Sequence, residues 1–287
     1  MEWFITLIVM TPIIVCSFNY LILFLIGTTL GSFINVLSLR FSPGKPVFRR
    51  EVFFSRSYCP YCKTRLSWYE LIPILSFLIQ KGKCRHCKKP ISWQYPIVEL
   101  LGGIGLTISF LVFTNNLKLA AVWGLILLVL LLVSIIDLRN LLIPGELVLV
   151  LIVLGVVSIF WHPESYLGYF SLMITKFSSY WLNHLAGSLL TLVFFGGMVF
   201  FSREKIMGWG DVQMGLAGGL ILGWPDIILA LMLSFLIGGM AGLFCLLAKK
   251  KHRKDYLAFG PFFSLGVVLT GLFGYQILSF YFSSFGF

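Results

Sequence analysis

Ile126-Leu127-Leu128-Val129-Leu130-Leu131-Leu132-Val133-Ser134-Ile135-Ile136 runs without a charge and is followed at once by Asp137-Leu138-Arg139. Taken from Lys118 to Asp137, this stretch has the roughly 20 residues a helix needs to cross a bilayer. A carboxylate at the foot of such a helix is costly to bury and is a functional candidate by default. The pattern recurs at Lys205-Ile206-Met207-Gly208-Trp209-Gly210-Asp211-Val212-Gln213, set between the apolar runs Ala186–Phe201 and Met214 onward. Gly208 and Gly210 let the backbone turn tightly and approach a ligand. Asp211 supplies a second carboxylate. One reading makes both acids ordinary interfacial helix-end charges. The other makes Asp137 and Asp211 an acid/base dyad on one side of a membrane.

Composition supports the membrane setting. The 287 residues are 59% hydrophobic and only 11% charged, with a mean hydropathy of +0.95. Soluble domains hold about 45–50% apolar and about 25% charged residues. The formal charge of +11 invites a nucleic-acid partner, but its placement argues against one. Twelve of the 22 Lys and Arg fall between Arg40 and Lys89, and five more fall in Lys249–Lys254. Basic blocks beside membrane helices are topology signals and contacts for anionic lipid heads. His252, inside the second block, reads as solvated. Met1-Glu2-Trp3 lacks the basic start of a cleavable leader, so the N-terminus is expected to be retained.

Apolar runs place spans near Phe18–Leu39, Tyr95–Thr114, Lys118–Asp137, Leu142–Trp161, Tyr180–Phe201, Val212–Leu222, Pro225–Ala248 and Phe259–Phe282. The expected fold is an all-α polytopic membrane protein of about eight transmembrane helices, the sixth short and glycine-rich. The first dozen residues read as an interfacial or tilted lead-in. Three regions follow: an N-terminal membrane segment 1–40, a polar insert 41–94 and a membrane bundle 95–287. Gly27, Gly31 and Ser32 give the first span a small face suited to close helix packing, and Asn35 is expected to bond a neighbouring helix. If the insert is cytoplasmic, 20 of the 22 Lys and Arg lie on that side and only Lys118 and Lys176 lie opposite. The positive-inside bias then fixes a multi-pass arrangement with Asp137 and Asp211 both at the cytoplasmic face.

The insert holds Cys59-Pro60-Tyr61-Cys62, 21 further residues, and Cys84-Arg85-His86-Cys87. Paired C-x2-C knuckles separated by about 15–20 residues are the zinc-ribbon pattern. Four thiolates close a tetrahedral shell and leave no open position, so such a site is structural. Disulfide pairing is the competing reading, disfavoured on a reducing cytoplasmic side. His86 is a spare, and Cys16 and Cys245 read as small core residues. Between the knuckles, Trp68-Tyr69-Glu70 and the apolar residues after it either pack on the ribbon or lie along the membrane surface. Glu70 is equally a solvated charge or a contact for a cationic ligand. Glu99, just inside the second span, is expected to pair with an interfacial Arg or Lys.

Together these elements resemble the type IV prepilin peptidases. The resemblance rests on Gly31-Ser32-Phe33-Ile34-Asn35-Val36, both knuckles, Trp68-Tyr69-Glu70 with Ile72-Pro73, and Gly82-Lys83-Cys84-Arg85. It continues through Tyr95-Pro96-Ile97-Val98-Glu99, Asp137 with Arg139, Gly208-x-Gly210-Asp211-Val212, and Phe259-Gly260-Pro261-Phe262. It implies an aspartic peptidase of the cell membrane with Asp137 and Asp211 as catalytic pair, supported by Gly208, Gly210, Arg139 and Pro144. The implied substrates are prepilins or pseudopilins, cut after a glycine that ends a short basic leader. The implied second activity is N-methylation of the new N-terminus by S-adenosylmethionine, with Glu70 the one weak candidate contact. Structural Zn2+ on Cys59, Cys62, Cys84 and Cys87, and lipid but no nucleic acid as partner, complete the expectation. Two positions depart from the family: Gln213 stands where Lys is usual, and Leu71 where Asn is usual. A membrane transporter and a zinc-ribbon scaffold without peptidase activity are the readings from other classes.

Overall fold

The computed structural model describes residues 2–50, 52, 55–161, 179–205, 207–248 and 257–284, with side chains from 19 onward. The basic block Lys249–Lys254 with His252, and Lys176, lie outside the described residues. In chain order the helices are α1 (Glu2–Arg40), α2 (Leu75–Ile79), α3 (Gln94–Val112), α4 (Leu117–Asn140) and α5 (Gly145–Ile159). They continue as α6 (Tyr180–Ser202), α7 (Trp209–Leu222), α8 (Asp226–Leu247) and α9 (Gly260–Ser284). A 3-10 turn covers Trp68–Leu71, and the described residues include isolated bridges but no strand.

Each of the eight expected spans is a helix. Six are long and apolar enough to cross a membrane: Asn19–Arg40 within α1, α3, α4, α6, α8 and α9. The protein is a multi-pass membrane protein. At 15 and 14 residues, α5 and α7 are shorter. At 1.5 Å per residue, α7 reaches only about 21 Å, against a hydrocarbon core of about 30 Å. Its ends explain the length. It starts after Gly208 and stops at Gly223, whose φ of +78° suits a residue without a Cβ, with Pro225 two residues on. The N-terminal lead-in is not a separate piece, because α1 runs unbroken through Pro12 for 39 residues.

The chain forms two compact units, Met1–Arg40 with Phe48–Thr114, and Phe41–Val47 with Asn115–Phe287. In the first, α1 packs along α3 through glycines. A Cβ on Gly27 would stand 2.5 Å from the Gly102 carbonyl oxygen, and one on Gly102 would stand 2.6 Å from that of Gly27. Close backbone approach of this kind is how membrane helices gain contact where no water is expelled. Asn35 is fully buried, and its Oδ1 accepts from Gln94 Nε2 at 2.7 Å, the helix-to-helix bond expected of it. Among the described residues no cation pairs with Glu99, contrary to expectation. It accepts the Ile74 amide at 2.7 Å instead, since a buried carboxylate is satisfied as well by backbone donors.

In the second unit α4 is the most buried span and α8 the least. Trp123 and Ile126 on α4, Phe195 on α6 and Phe263 on α9 are essentially inaccessible. The end of α4 is set locally: Leu141 adopts φ +51° and its amide returns to the Asp137 carbonyl at 2.8 Å. That left-handed cap fixes the last turn, and with it the position of Asp137. α6 and α7 cross backbone to backbone, with a Cβ on Gly219 standing 2.6 Å from the Gly187 carbonyl. Asp211 therefore rides on a short helix pressed against its neighbour.

Candidate functional site

Two constellations emerge, one in each unit. In the first unit both knuckles are built alike. Cys59 N donates to Thr64 O and Lys63 N to Cys59 O, while Cys84 N donates to Lys89 O and Lys88 N to Cys84 O. Lys63 and Lys88, each one residue past the second cysteine of its knuckle, hold φ of +59° and +61°. These matched turns aim four thiols inward. The sulfurs of Cys59, Cys62, Cys84 and Cys87 lie within 4.8 Å of one another, and Cys59 and Cys87 are 3.9 Å apart. A tetrahedron with metal–sulfur bonds of about 2.3 Å has sulfurs about 3.8 Å apart, so the donor set fits Zn2+ in number, type and spacing. All four are free thiols.

The thiols are tuned unequally. Bonds from the side chain and backbone of Thr64 lower Cys62 to about 6. Backbone amides of Cys87 and His86 lower Cys84. The Lys89 amide favours the Cys87 thiolate, yet burial and the crowding sulfurs outweigh it and push Cys87 up to about 11. Glu70 is turned inward and only 6% exposed. Its Oε2 accepts the Ser67 amide at 2.9 Å, and its Oε1 lies 3.9 Å from His86 Nε2. The Ser67 bond ties it into the aromatic turn, and its Oε1 is buried without a hydrogen-bond partner among the described residues.

In the second unit a cavity of about 470 Å³ opens at the ends of α4 and α7. Asp137 comes from the last turn of α4 and Asp211 from the first turn of α7, so helices distant in sequence bring both acids to one cavity. Each is anchored by a glycine amide. Gly260 N donates to Asp137 Oδ2 at 2.9 Å, and Gly208 N donates to Asp211 Oδ2 at 3.2 Å. Both residues line the cavity. Asp211 lies outside the six long spans, and burial pushes its carboxyl up to about 6. The Gly208 amide opposes that rise and the charge of Asp137 adds to it, which puts the two acids within electrostatic reach.

The remaining motif residues fall around this cavity. Gly208 lines it, and its backbone, at φ −94° and ψ 166°, is ordinary extended chain. What glycine supplies there is open space, since a Cβ would meet nothing within 4 Å. Gly210 packs outward, with a Cβ position 3.1 Å from Ile143. Pro144 is buried and caps α5, Arg139 is exposed, and none of Gly210, Pro144 and Arg139 is among the lining residues. Gln213 is exposed, with its Oε1 3.9 Å from the Cβ position of Gly145, and also lies off the cavity.

Other contributors carry weaker sequence signals. Gly260 holds Asp137, and a Cβ there would stand 2.6 Å from Asp137 Oδ2. Its Gly-Pro start to α9 is the only local clue. Phe235 and Phe259 form the apolar floor, stacked on Phe195 and Phe263 with ring centroids 5.2–6.5 Å apart. Glu204 is a third carboxylate on the wall, held by Trp209 Nε1 at 2.8 Å. The described lining residues include no Lys, Arg or His.

Fold and site define the class: a polytopic α-helical membrane protein with a four-cysteine insert and a carboxylate-bearing cavity. Residues 25–113 match the family described as Bacterial Peptidase A24 N-terminal domain, and residues 124–243 match the Type IV leader peptidase family. The chain is 32% identical to a prepilin leader peptidase/N-methyltransferase of Bacillus subtilis, over 91% of this chain and 96% of that protein. It is 29% identical to the protein of that description from Legionella pneumophila, over 92% and 94% of the two chains. Likewise it is 29% identical to the one from Vibrio cholerae, over 88% and 97%. No solved structure matches. The chain belongs to the type IV leader peptidase family and is an enzyme of that family.

Proposed function

We propose that this protein removes the basic leader of type IV prepilins or pseudopilins after a glycine, using Asp137 and Asp211 as a catalytic pair. The observation that carries this reading is the shared cavity, with one oxygen of each carboxyl anchored by a glycine amide. Two neighbouring carboxyls cannot both ionise cheaply, so they share a proton and titrate as a pair. The ionised member draws a proton from water as the water attacks the scissile carbonyl. The protonated member donates its proton to the carbonyl oxygen; as the tetrahedral intermediate collapses it takes that proton back, and the member that took the proton from water passes it to the leaving amine. Gly260 and Gly208 hold the two side chains through these steps. Gly208 keeps the wall open to substrate backbone. An acidic wall with Glu204 and an apolar aromatic floor suit a substrate that carries cations next to an apolar segment.

A transporter reading is less well supported. Transporter sites sit near the bilayer midplane, whereas Asp137 and Asp211 occupy the last and first turns of their helices. The distribution of Lys and Arg in the sequence supports reading residues 41–94 and the catalytic pair as cytoplasmic. Cys59, Cys62, Cys84 and Cys87 would hold zinc there as a closed structural staple. N-methylation with S-adenosylmethionine is proposed on the names of the relatives. No step is assigned to Glu70.

Mass spectrometry of a leader-bearing prepilin incubated with the purified full chain and S-adenosylmethionine tests both activities. The expected product lacks the leader and carries one added methyl. Asp137→Asn and Asp211→Asn should each reduce cleavage by about 10²–10⁴-fold while the protein remains folded. Full processing by either variant would end the dyad assignment.

A further inference from the structure

The cysteine insert displays more apolar surface than a polar segment needs. In and beside α2, Trp68, Leu75, Leu78, Ile79 and Trp93 are 78, 54, 61, 77 and 69% exposed. This surface is held in place. Ile74, just before α2, adopts φ +61°, which is unfavourable for a β-branched residue, and donates its amide to Glu99 at 2.7 Å. Phe77 is buried, 4.9 Å from the Trp93 ring, in space left by the absent Cβ of Gly82. With Phe77 turned in, Leu75, Leu78 and Ile79 project outward from a braced turn.

The anchoring bond also sets the level of this turn along α3. Glu99 is the sixth residue of that helix, about 8 Å from its start at 1.5 Å per residue. Since α3 is one of the six long apolar helices, α2 begins beside the second turn of a membrane span. The exposed Ile97, Leu100 and Leu101 of α3 continue the apolar surface within the same compact unit. Charge follows directly. Lys81, Lys83, Arg85, Lys88 and Lys89 are all exposed, and no acid occurs between Glu70 and Glu99. An apolar face backed by cations, at a depth of about 5–10 Å, is the arrangement of interfacial amphipathic elements.

We propose that α2 with Trp68 and Trp93 forms a foot that seats the cysteine insert in the headgroup region of an anionic lipid bilayer. The apolar side chains enter the acyl boundary and the basic residues meet lipid phosphates. The face is continuous with the lipid-facing side of α3, and its charge matches an anionic leaflet. This inference stands whether or not the peptidase reading holds.

The test places the full chain in nanodiscs of phosphatidylcholine, with or without phosphatidylglycerol. Each disc is doped with a phospholipid bearing a photoactivatable diazirine on its acyl chain, and adducts are mapped by peptide mass spectrometry. Leu75, Leu78 and Ile79 should be labelled together with Leu100 and Leu101 of α3, and more strongly in the anionic discs. Tyr58 and Tyr61 on the first knuckle should not. The double substitution Leu78→Glu with Ile79→Glu, on side chains that support no core, should lose adducts at 75–79 and keep those on α3. Absence of adducts at 75–79 while α3 is labelled would overturn the proposal, as would equal labelling in the two discs. Photocrosslinks from this segment to a second copy or another protein in place of lipid would do so too.

Discussion

A methyl group on Gly260 would stand 2.6 Å from Asp137 Oδ2, closer than two such atoms approach. Gly260→Ala must therefore displace either α9 or the carboxyl. The variant is expected to keep its helix content by circular dichroism and to lose most cleavage in the prepilin assay. Asp211 makes two further predictions. Its carboxyl is pushed up to about 6 by burial, with Asp137 adding to the rise. If a singly protonated pair is the active form, kcat/KM should fall on an alkaline limb as the shared proton leaves, with an apparent pKa near that value. A raised carboxyl pKa also means that the folded protein binds this proton more tightly than the unfolded chain. Stability from that binding is intact below about pH 4, near the ordinary Asp value, and is lost as pH rises through about 6. Asp211→Asn removes the cost of the buried charge and can still accept the Gly208 amide. Its melting temperature should exceed that of the wild type at pH 7, with the difference shrinking towards pH 4, as thermal unfolding in detergent would show.

At the scale of elements, glycine-to-glycine contact joins α1 to α3 and α6 to α7. A side chain at Gly102 would meet the Gly27 carbonyl, which is backbone and cannot rotate away. Gly102→Val should thus part α1 from α3 at a cost of about 1–3 kcal/mol or more, seen as a lower unfolding temperature. The small face of α1 was legible from the spacing of Gly27 and Gly31. Its partner was not, because Gly102 and Gly103 fall in an apolar run that offers several faces. The brevity of α7 was legible from its glycines and the Gly-Trp-Pro after Leu222. The fate of Glu99 was misread: a carboxylate near an interface usually finds a cation, but the strained Ile74 amide lay closer. Gly208 was assigned a tight turn that its extended backbone does not make.

On the scale of the whole molecule, the two units carry separable chemistry. The four cysteines stand in one, and the two aspartates stand in the other. Cys59→Ser should abolish zinc retention by elemental analysis and impair methylation before cleavage. Metal retention in the wild type should weaken as pH falls, because protons compete for the thiolates. Cys62 at about 6 and the lowered Cys84 hold off that competition near neutrality, whereas Cys87 at about 11 must give up its proton to bind. Proton release on zinc addition, measured with a pH indicator, checks this.

The sequence by itself determined the membrane class, the helix positions, the cysteine set and the place of both aspartates at helix ends. These follow from local quantities: apolar run length, C-x2-C spacing, and the cost of an acid beside a bilayer. Tertiary structure alone decided that Gly260, 123 residues from Asp137, holds that carboxyl. It also decided that Glu204 shares the cavity and that Glu70 turns inward. Such choices depend on which helices meet and in what rotation, and that is fixed by packing between segments far apart in the chain.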